Sequence, residues 1–248
     1  MIELDLLTKD LNAFPGLNLN NIVTVLPLFF LATVRVGSFV ISSPLFGMRG
    51  VPTPIRVVIS FILGLAVISF TGLPSEDLLS SLNFIFIVLV EIAVGLTAGL
   101  IVTIWFSSVA LAGEKMATSA GLGYAAQIDP QAGGQTPVVS VILNLFLIVL
   151  FVSLDGHLLM LRVFFESFSI LPIGSMPPPM VLIGAGIKAA GSMFVAASLI
   201  MLPVVGIILM INVSAGIMTR SAPQLNLFSF VFPVTILSAF IILYFSTG

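Results

Sequence analysis

Long apolar runs fill this sequence and leave few places for water. About 20 consecutive apolar residues cross a bilayer. By that length six segments stand out, at roughly 22–47, 55–72, 78–112, 138–168, 180–212 and 225–246. Backbone inside hydrocarbon must satisfy its own hydrogen bonds, so each segment is a helix or a broken helix. Phe, Leu, Ile and Val dominate the runs without a period of two, which argues against a barrel. Only 7% of the 248 residues are charged, against about 25% in ordinary soluble domains. The expected fold is therefore an all-α membrane protein of about six long, partly kinked helices, with no separate soluble domain.

The polar residues exclude several function classes. A net charge of −2 gives no electrostatic footprint for nucleic acid. The chain has no cysteine, which removes disulfides, thiol catalysis and Cys-based metal sites. Its single histidine, His157, has too few oxygen ligands near it in sequence for a zinc site. Asp155, His157, Arg162 and Glu166 cluster in SLDGHLLMLRVFFE. No strained nucleophile or second ligand motif accompanies them. Arg162 and Glu166 are four apart and can pair on one helix face. A proton relay through His157 is the sharper alternative to such structural use. The reading is of a protein that is not an enzyme and holds no cofactor.

The acidic N-terminus, MIELDLLTKDLNAFPGLNLNN, lacks a basic region before a short apolar core, so it does not read as a cleaved signal peptide. Connections between the segments are punctuated by proline. Arg49 to Pro52 and Arg220 to Pro223 both spell Arg-x-x-Pro, and each pair of flanking segments reads as a helical hairpin. Pro177, Pro178 and Pro179 make a stiff spacer. Arg49, Arg56, Lys115 and Arg220 lie on one side of a simple six-span topology and Lys9 on the other. Positive charge favours the cytoplasm, so this topology puts both termini outside it. Segment 78–112 would reach about 50 Å as one helix, against a hydrocarbon core of about 30 Å. Helices this long tilt, break or project into a protein environment, where their apolar surfaces need partners.

Two ionisable residues lie at mid-span. Arg35 is midway along the first segment and Glu91 midway along the third. Charges at that depth face water or the protein interior. They line an aqueous path or form a buried pair tying two helices together, and opposite charges on neighbouring spans favour the pair. Gly95-Leu-Thr-Ala-Gly99 is a GxxxG, a pattern that permits close helix approach.

The central stretch, GEKMATSAGLGYAAQIDPQAGGQTP at 113–137, fits neither a span nor an ordinary loop. Structureless connections of such length are usually functional or disordered. Leu122, Tyr124 and Ile128 argue against disorder. Gly121, Gly123, Gly133 and Gly134 open unusual backbone conformations, and Asp129-Pro130 favours a turn. Non-helical backbone at membrane depth is tolerated where protein surrounds it or where it lines a cavity. A plain cytoplasmic loop is the alternative.

LAGEKMATSAGLGYAAQIDP (111–130), DGHLLMLRVFFESFSILPIG (155–174), NVSAGIMTRSAPQLNLFSFVFPV (212–234) and, more weakly, RVGSFVISSPLFGMRGVPTPIR (35–56) carry a resemblance covering nearly the whole chain. They are similar to the FliR family of flagellar export-gate proteins, whose injectisome relatives are called SctT. The family's motif falls on Gly113, Glu114, Gly156, His157, Arg220, Pro223, Gln224 and Leu225. The resemblance implies a subunit of the type III secretion export gate, in the bacterial inner membrane at the flagellar basal body. It implies FliP-like and FliQ-like subunits as co-builders of the pore, an FlhB-like switch protein and other export-apparatus proteins as partners, and unfolded proteins in transit. It also implies an N-terminal arm (1–21), a FliP-like part (22–175) and a FliQ-like hairpin (176–248), with the assembly projecting to the periplasmic side rather than forming six simple spans. In the family the loop after the AGE motif plugs the pore. Here that loop matches Ala120, Gly121, Leu122, Gly123, Tyr124, Ala125, Ala126, Gln127, Ile128, Asp129 and Pro130, with Tyr124 the bulkiest contact. Many relatives extend beyond the position where this chain reads YFSTG.

Arg35 and Glu91 also suggest a different class, a secondary transporter of a small solute. Such transporters usually carry two comparable repeats with matching broken helices. Here the Arg-x-x-Pro pair is the only trace of a repeat.

Overall fold

The structure, a computed structural model, describes residues 19–48, 50–70, 83–121 and 138–221, with 233–235, 237, 238 and 241. Six helices account for most of them. They are α1 (Leu19–Ser42), α2 (Thr53–Phe70), α3 (Asn83–Ser119), α4 (Val138–Ser153), α5 (Gly156–Ile170) and α6 (Pro179–Ser221). By length and composition Val25–Ser42, Phe84–Ser119 and Pro179–Ser221 can each cross a membrane, and α4 with α5 reads as one broken span. The most C-terminal apolar segment, 225–246, lies largely outside the described residues.

Helix boundaries follow local chemistry. Pro54 sits in the first turn of α2 and Pro179 opens α6, where the missing N–H costs nothing. Arg220 in the last turn of α6 complements the negative end of the helix dipole. Gly121, at φ 84°, takes the left-handed conformation just past α3, and its N–H bonds to the Thr118 carbonyl at 3.1 Å.

The structure sharpens one expectation and corrects another. The 138–168 segment, expected as a helix or a broken helix, is not one continuous helix. It breaks at Asp155, whose φ of 55° is left-handed, a conformation that Asp tolerates better than most residues. The central stretch does not begin as a loop at Gly113 either, because Gly113–Ser119 form the last two turns of α3. Ala, Glu, Lys and Met are good helix formers. Gly113 is there for packing, as described below.

The chain divides into two compact units, each discontinuous in sequence. One takes Met1–Thr103 and Asp155–Ile187, the other Ile104–Leu154 and Lys188–Gly248. The chain thus passes between the units at Thr103 and Ile104 within α3, at Leu154 and Asp155, and at Ile187 and Lys188 within α6.

In the first unit α1 and α2 form an antiparallel hairpin. Phe29 meets Phe61 edge-on with centroids 5.3 Å apart, and Gly64 sits against Thr33. Leu28, Leu31, Ala32, Arg35, Val36, Phe39 and Val40 form the buried stripe of α1, with helical spacing, and Ser43 just past its end is buried as well. Ile87, Glu91 and Val94 on α3 and Met160, Phe164 and Phe168 on α5 complete that core. In the second unit Ala112, Met116, Ala117 and Ala120 of α3 pack with Val139 of α4 and with Ala197, Val204 and Ile208 of α6.

Candidate functional site

The first unit is built around a charge. Gly95 and Gly99 lie on the face of α3 that carries Glu91, and both are buried. A Cβ on Gly95 would run into the Arg35 carbonyl and Ser38, and one on Gly99 into Ser42 and the Phe39 carbonyl. The glycines therefore let α1 and α3 approach backbone to backbone, and Thr103 Oγ1 donates to the Ser42 carbonyl at 2.6 Å farther along the same contact.

At this crossing Arg35 Nε donates to Glu91 Oε2, and both side chains are wholly buried. Arg35 Nη1 donates to the Leu171 carbonyl at 2.8 Å. The other Glu91 oxygen, Oε1, accepts the Gly174 N–H at 3.1 Å. Gly174 reaches it with φ 86°, a conformation suited to glycine. The Phe168 ring covers the guanidinium, its centroid 4.4 Å from Cζ, and Phe164 stacks on Phe39 at 4.0 Å. Arg35 Nη2 is buried without a hydrogen-bond partner. The pair thus staples the link between α5 and α6 onto the α1–α3 contact. A charge pair shielded from water needs partners for its remaining polar atoms, and two backbone groups of the α5–α6 link supply them for Arg35 Nη1 and Glu91 Oε1.

The second unit holds the roots of the central segment. A Cβ on Gly113 would lie 2.6 Å from Ser140 Cα, so α3 and α4 touch there with nothing between them. Ser140 Oγ donates to the Ala110 carbonyl at 3.0 Å, locking the crossing. Asn212 Nδ2 of α6 donates to the Ser119 carbonyl at 3.3 Å, and Thr235 Oγ1 to the Ala120 carbonyl at 3.4 Å. Carbonyls at the end of a helix have no partner within it, and side chains from elsewhere in the unit satisfy these two. Ala120 and Gly121 are thus placed at the end of α3, one buried and the other in the turn. Leu122, Gly123, Tyr124, Ala125, Ala126, Gln127, Ile128, Asp129 and Pro130 lie outside the described residues. The segment leaves a fixed stem at Gly121 and returns to one at Val138.

Of the remaining motif residues, Glu114 and Arg220 are exposed, Gly156 and His157 open α5, and Pro223, Gln224 and Leu225 lie outside the described residues. His157 Nδ1 is buried and has no hydrogen-bond partner. Arg162 Nε donates to Glu166 Oε1 at 3.0 Å on an exposed face of α5. Sequence reasoning missed Leu171, Gly174, Phe168, Ser140 and Asn212. Leu171 and Gly174 act through backbone atoms and give no side-chain signal. The others are common residues whose roles depend on a neighbour distant in sequence.

Comparison with known proteins matches residues 26–248 to a family described as bacterial export proteins, family 1. Among characterised relatives, the chain is similar to the flagellar biosynthetic protein FliR of Pectobacterium carotovorum subsp. carotovorum, with 30% identity over 84% of this chain and 79% of that one. The FliR of Bacillus subtilis is 30% identical over 91% and 88%. That of Escherichia coli is 28% identical over 85% and 80%.

Proposed function

The chain belongs to the bacterial export proteins of family 1, the family of the flagellar biosynthetic protein FliR, and on that premise we propose that it is a core subunit of the flagellar type III secretion export gate. It sits in the bacterial cytoplasmic membrane, in an assembly that projects toward the periplasm. FliP-like and FliQ-like subunits build the pore with it, an FlhB-like switch protein and other export-apparatus proteins join them, and unfolded proteins pass through. Residues 22–175 serve as the FliP-like part and 176–248 as the FliQ-like hairpin.

Two features of the chain support this reading. α3 and α6, at 37 and 43 residues, extend about 55 and 64 Å at 1.5 Å per residue, well beyond a hydrocarbon core of about 30 Å. Large apolar side chains such as Leu199, Leu202, Leu209, Met210 and Ile217 stay exposed along α6, a surface that lipid covers only in part and that neighbouring subunits would cover elsewhere.

The segment beginning at Ala120 and Gly121 and running to Pro130 seals the pore. The observation that carries this role is the pair of packed stems around a glycine-rich segment: a plug needs a fixed root and a span that can be displaced. Small side chains allow several backbones to converge on one axis, and apolar atoms resist hydration and ion leak. Tyr124 supplies the bulkiest contact.

Native mass spectrometry of the chain co-expressed with its FliP-like and FliQ-like neighbours tests the assembly. A large complex holding this chain is expected. A lone monomer, with the neighbours present and folded, would overturn the reading and favour a solute transporter.

A further inference from the structure

A groove of about 490 Å³ runs along the first unit between α1 and α2. Its apolar walls include Phe29, Phe30 and Phe61, and its floor is made by small residues, Gly37 against Ser60. On α1 it extends from Leu26 to Ile41, about 22 Å at 1.5 Å per residue. One leaflet of a bilayer offers a hydrocarbon depth of about 15 Å, so the groove takes an acyl chain of ordinary length.

The groove is not apolar throughout. Arg56 lines it near the α1–α2 turn. Its Nη2 donates to the Met48 carbonyl at 2.6 Å, which fixes the guanidinium in place, while its Nε is buried with no hydrogen-bond partner. Arg49 lies in the same connection, and no acidic residue occurs between Asp10 and Glu76. An oily channel with one basic end, between a helix long enough to cross a membrane and a shorter apolar one, matches a single lipid with an anionic headgroup.

We propose that this groove is a binding site for one anionic phospholipid, its phosphate on Arg56 and an acyl chain along Phe29, Phe30, Gly37 and Phe61. A neighbouring subunit's helix is the competing occupant. It would have to carry an acidic side chain at membrane depth to answer Arg56, which is costly. The proposal depends on the chain lying in a membrane and not on the plug.

The test uses the full chain in its native assembly, delipidated and then titrated with phosphatidylglycerol or phosphatidylcholine under native mass spectrometry. Wild type is expected to prefer phosphatidylglycerol about fivefold at one site, the effect of roughly one basic residue. Arg56→Gln should lose the preference and Arg56→Lys keep most of it. Gly37→Leu, which fills the floor and leaves Arg56 intact, should remove one bound lipid of either kind. Gly37→Ala should behave as wild type, since its Cβ would sit 3.6 Å from Ser60 Oγ. Equal binding of the two lipids, or an unchanged preference in Arg56→Gln, would overturn the proposal. The chain lacks cysteine, so a photocrosslinker on Val57→Cys reports the occupant directly. Lipid adducts support the site, and capture of a neighbouring polypeptide sinks it.

Discussion

Arg35 and Glu91 illustrate how a residue's meaning depends on its partner. Removing one of them leaves the other charged and buried. Glu91→Ala is expected to cost about 3–5 kcal/mol, whereas replacing both with Met should recover most of that loss. Thermal unfolding of the purified protein in detergent distinguishes the cases, and a double variant no more stable than Glu91→Ala would contradict the staple. The glycines give a second contrast. Gly113→Val forces a branched side chain into Ser140 Cα and should cost about 1–3 kcal/mol by overpacking. Gly206 meets nothing within 4 Å, so Gly206→Ala should be neutral or stabilise by up to about 1 kcal/mol. Melting temperatures moving equally in both variants would show that the close approach at Gly113 is not what its glycine provides. In sequence these two glycines look alike. What separates them is whether another backbone comes near, and that is a distance in space.

Among the elements, the broken span between α4 and α5 shows where local sequence was informative and went unread. Asp155-Gly156 is a turn-forming pair inside an apolar run. Asp155 adopts the left-handed conformation itself, and its side chain makes no capping hydrogen bond. Asp155→Gly is therefore expected to retain or raise stability. Asp155→Val should lower it by about 1–2 kcal/mol, since a branched residue resists that backbone. If melting shows the two variants equally impaired, the carboxylate itself is needed and the backbone explanation fails. The end of α3 was misread for the opposite reason. Gly113 looks like a breaker, yet a single glycine costs a helix only about 1 kcal/mol, and the Ser140 contact gives it a packing role. The true terminator is Gly121, at φ 84°.

For the whole molecule, the functional test is the central segment. Deleting 122–136 should leave the co-purified assembly the same size and make it conduct ions in a planar bilayer, while wild type stays closed. Tight bilayers with the deletion would remove the plug role without touching the family assignment. The sequence by itself determined the solvent and the class of this protein: apolar runs of this length cannot fold in water, and their backbone must close its hydrogen bonds as helices. It also carried the resemblance, because the motifs are read in order along the chain. Tertiary structure decided which face of each helix is inside. With apolar residues all round, hydrophobic periodicity cannot mark a buried stripe. The stripe is set instead by close packing at Gly95, Gly99 and Gly113 and by a charge pair joining residues 56 positions apart. Those contacts depend on how helices cross, a relation between distant segments that no local pattern encodes.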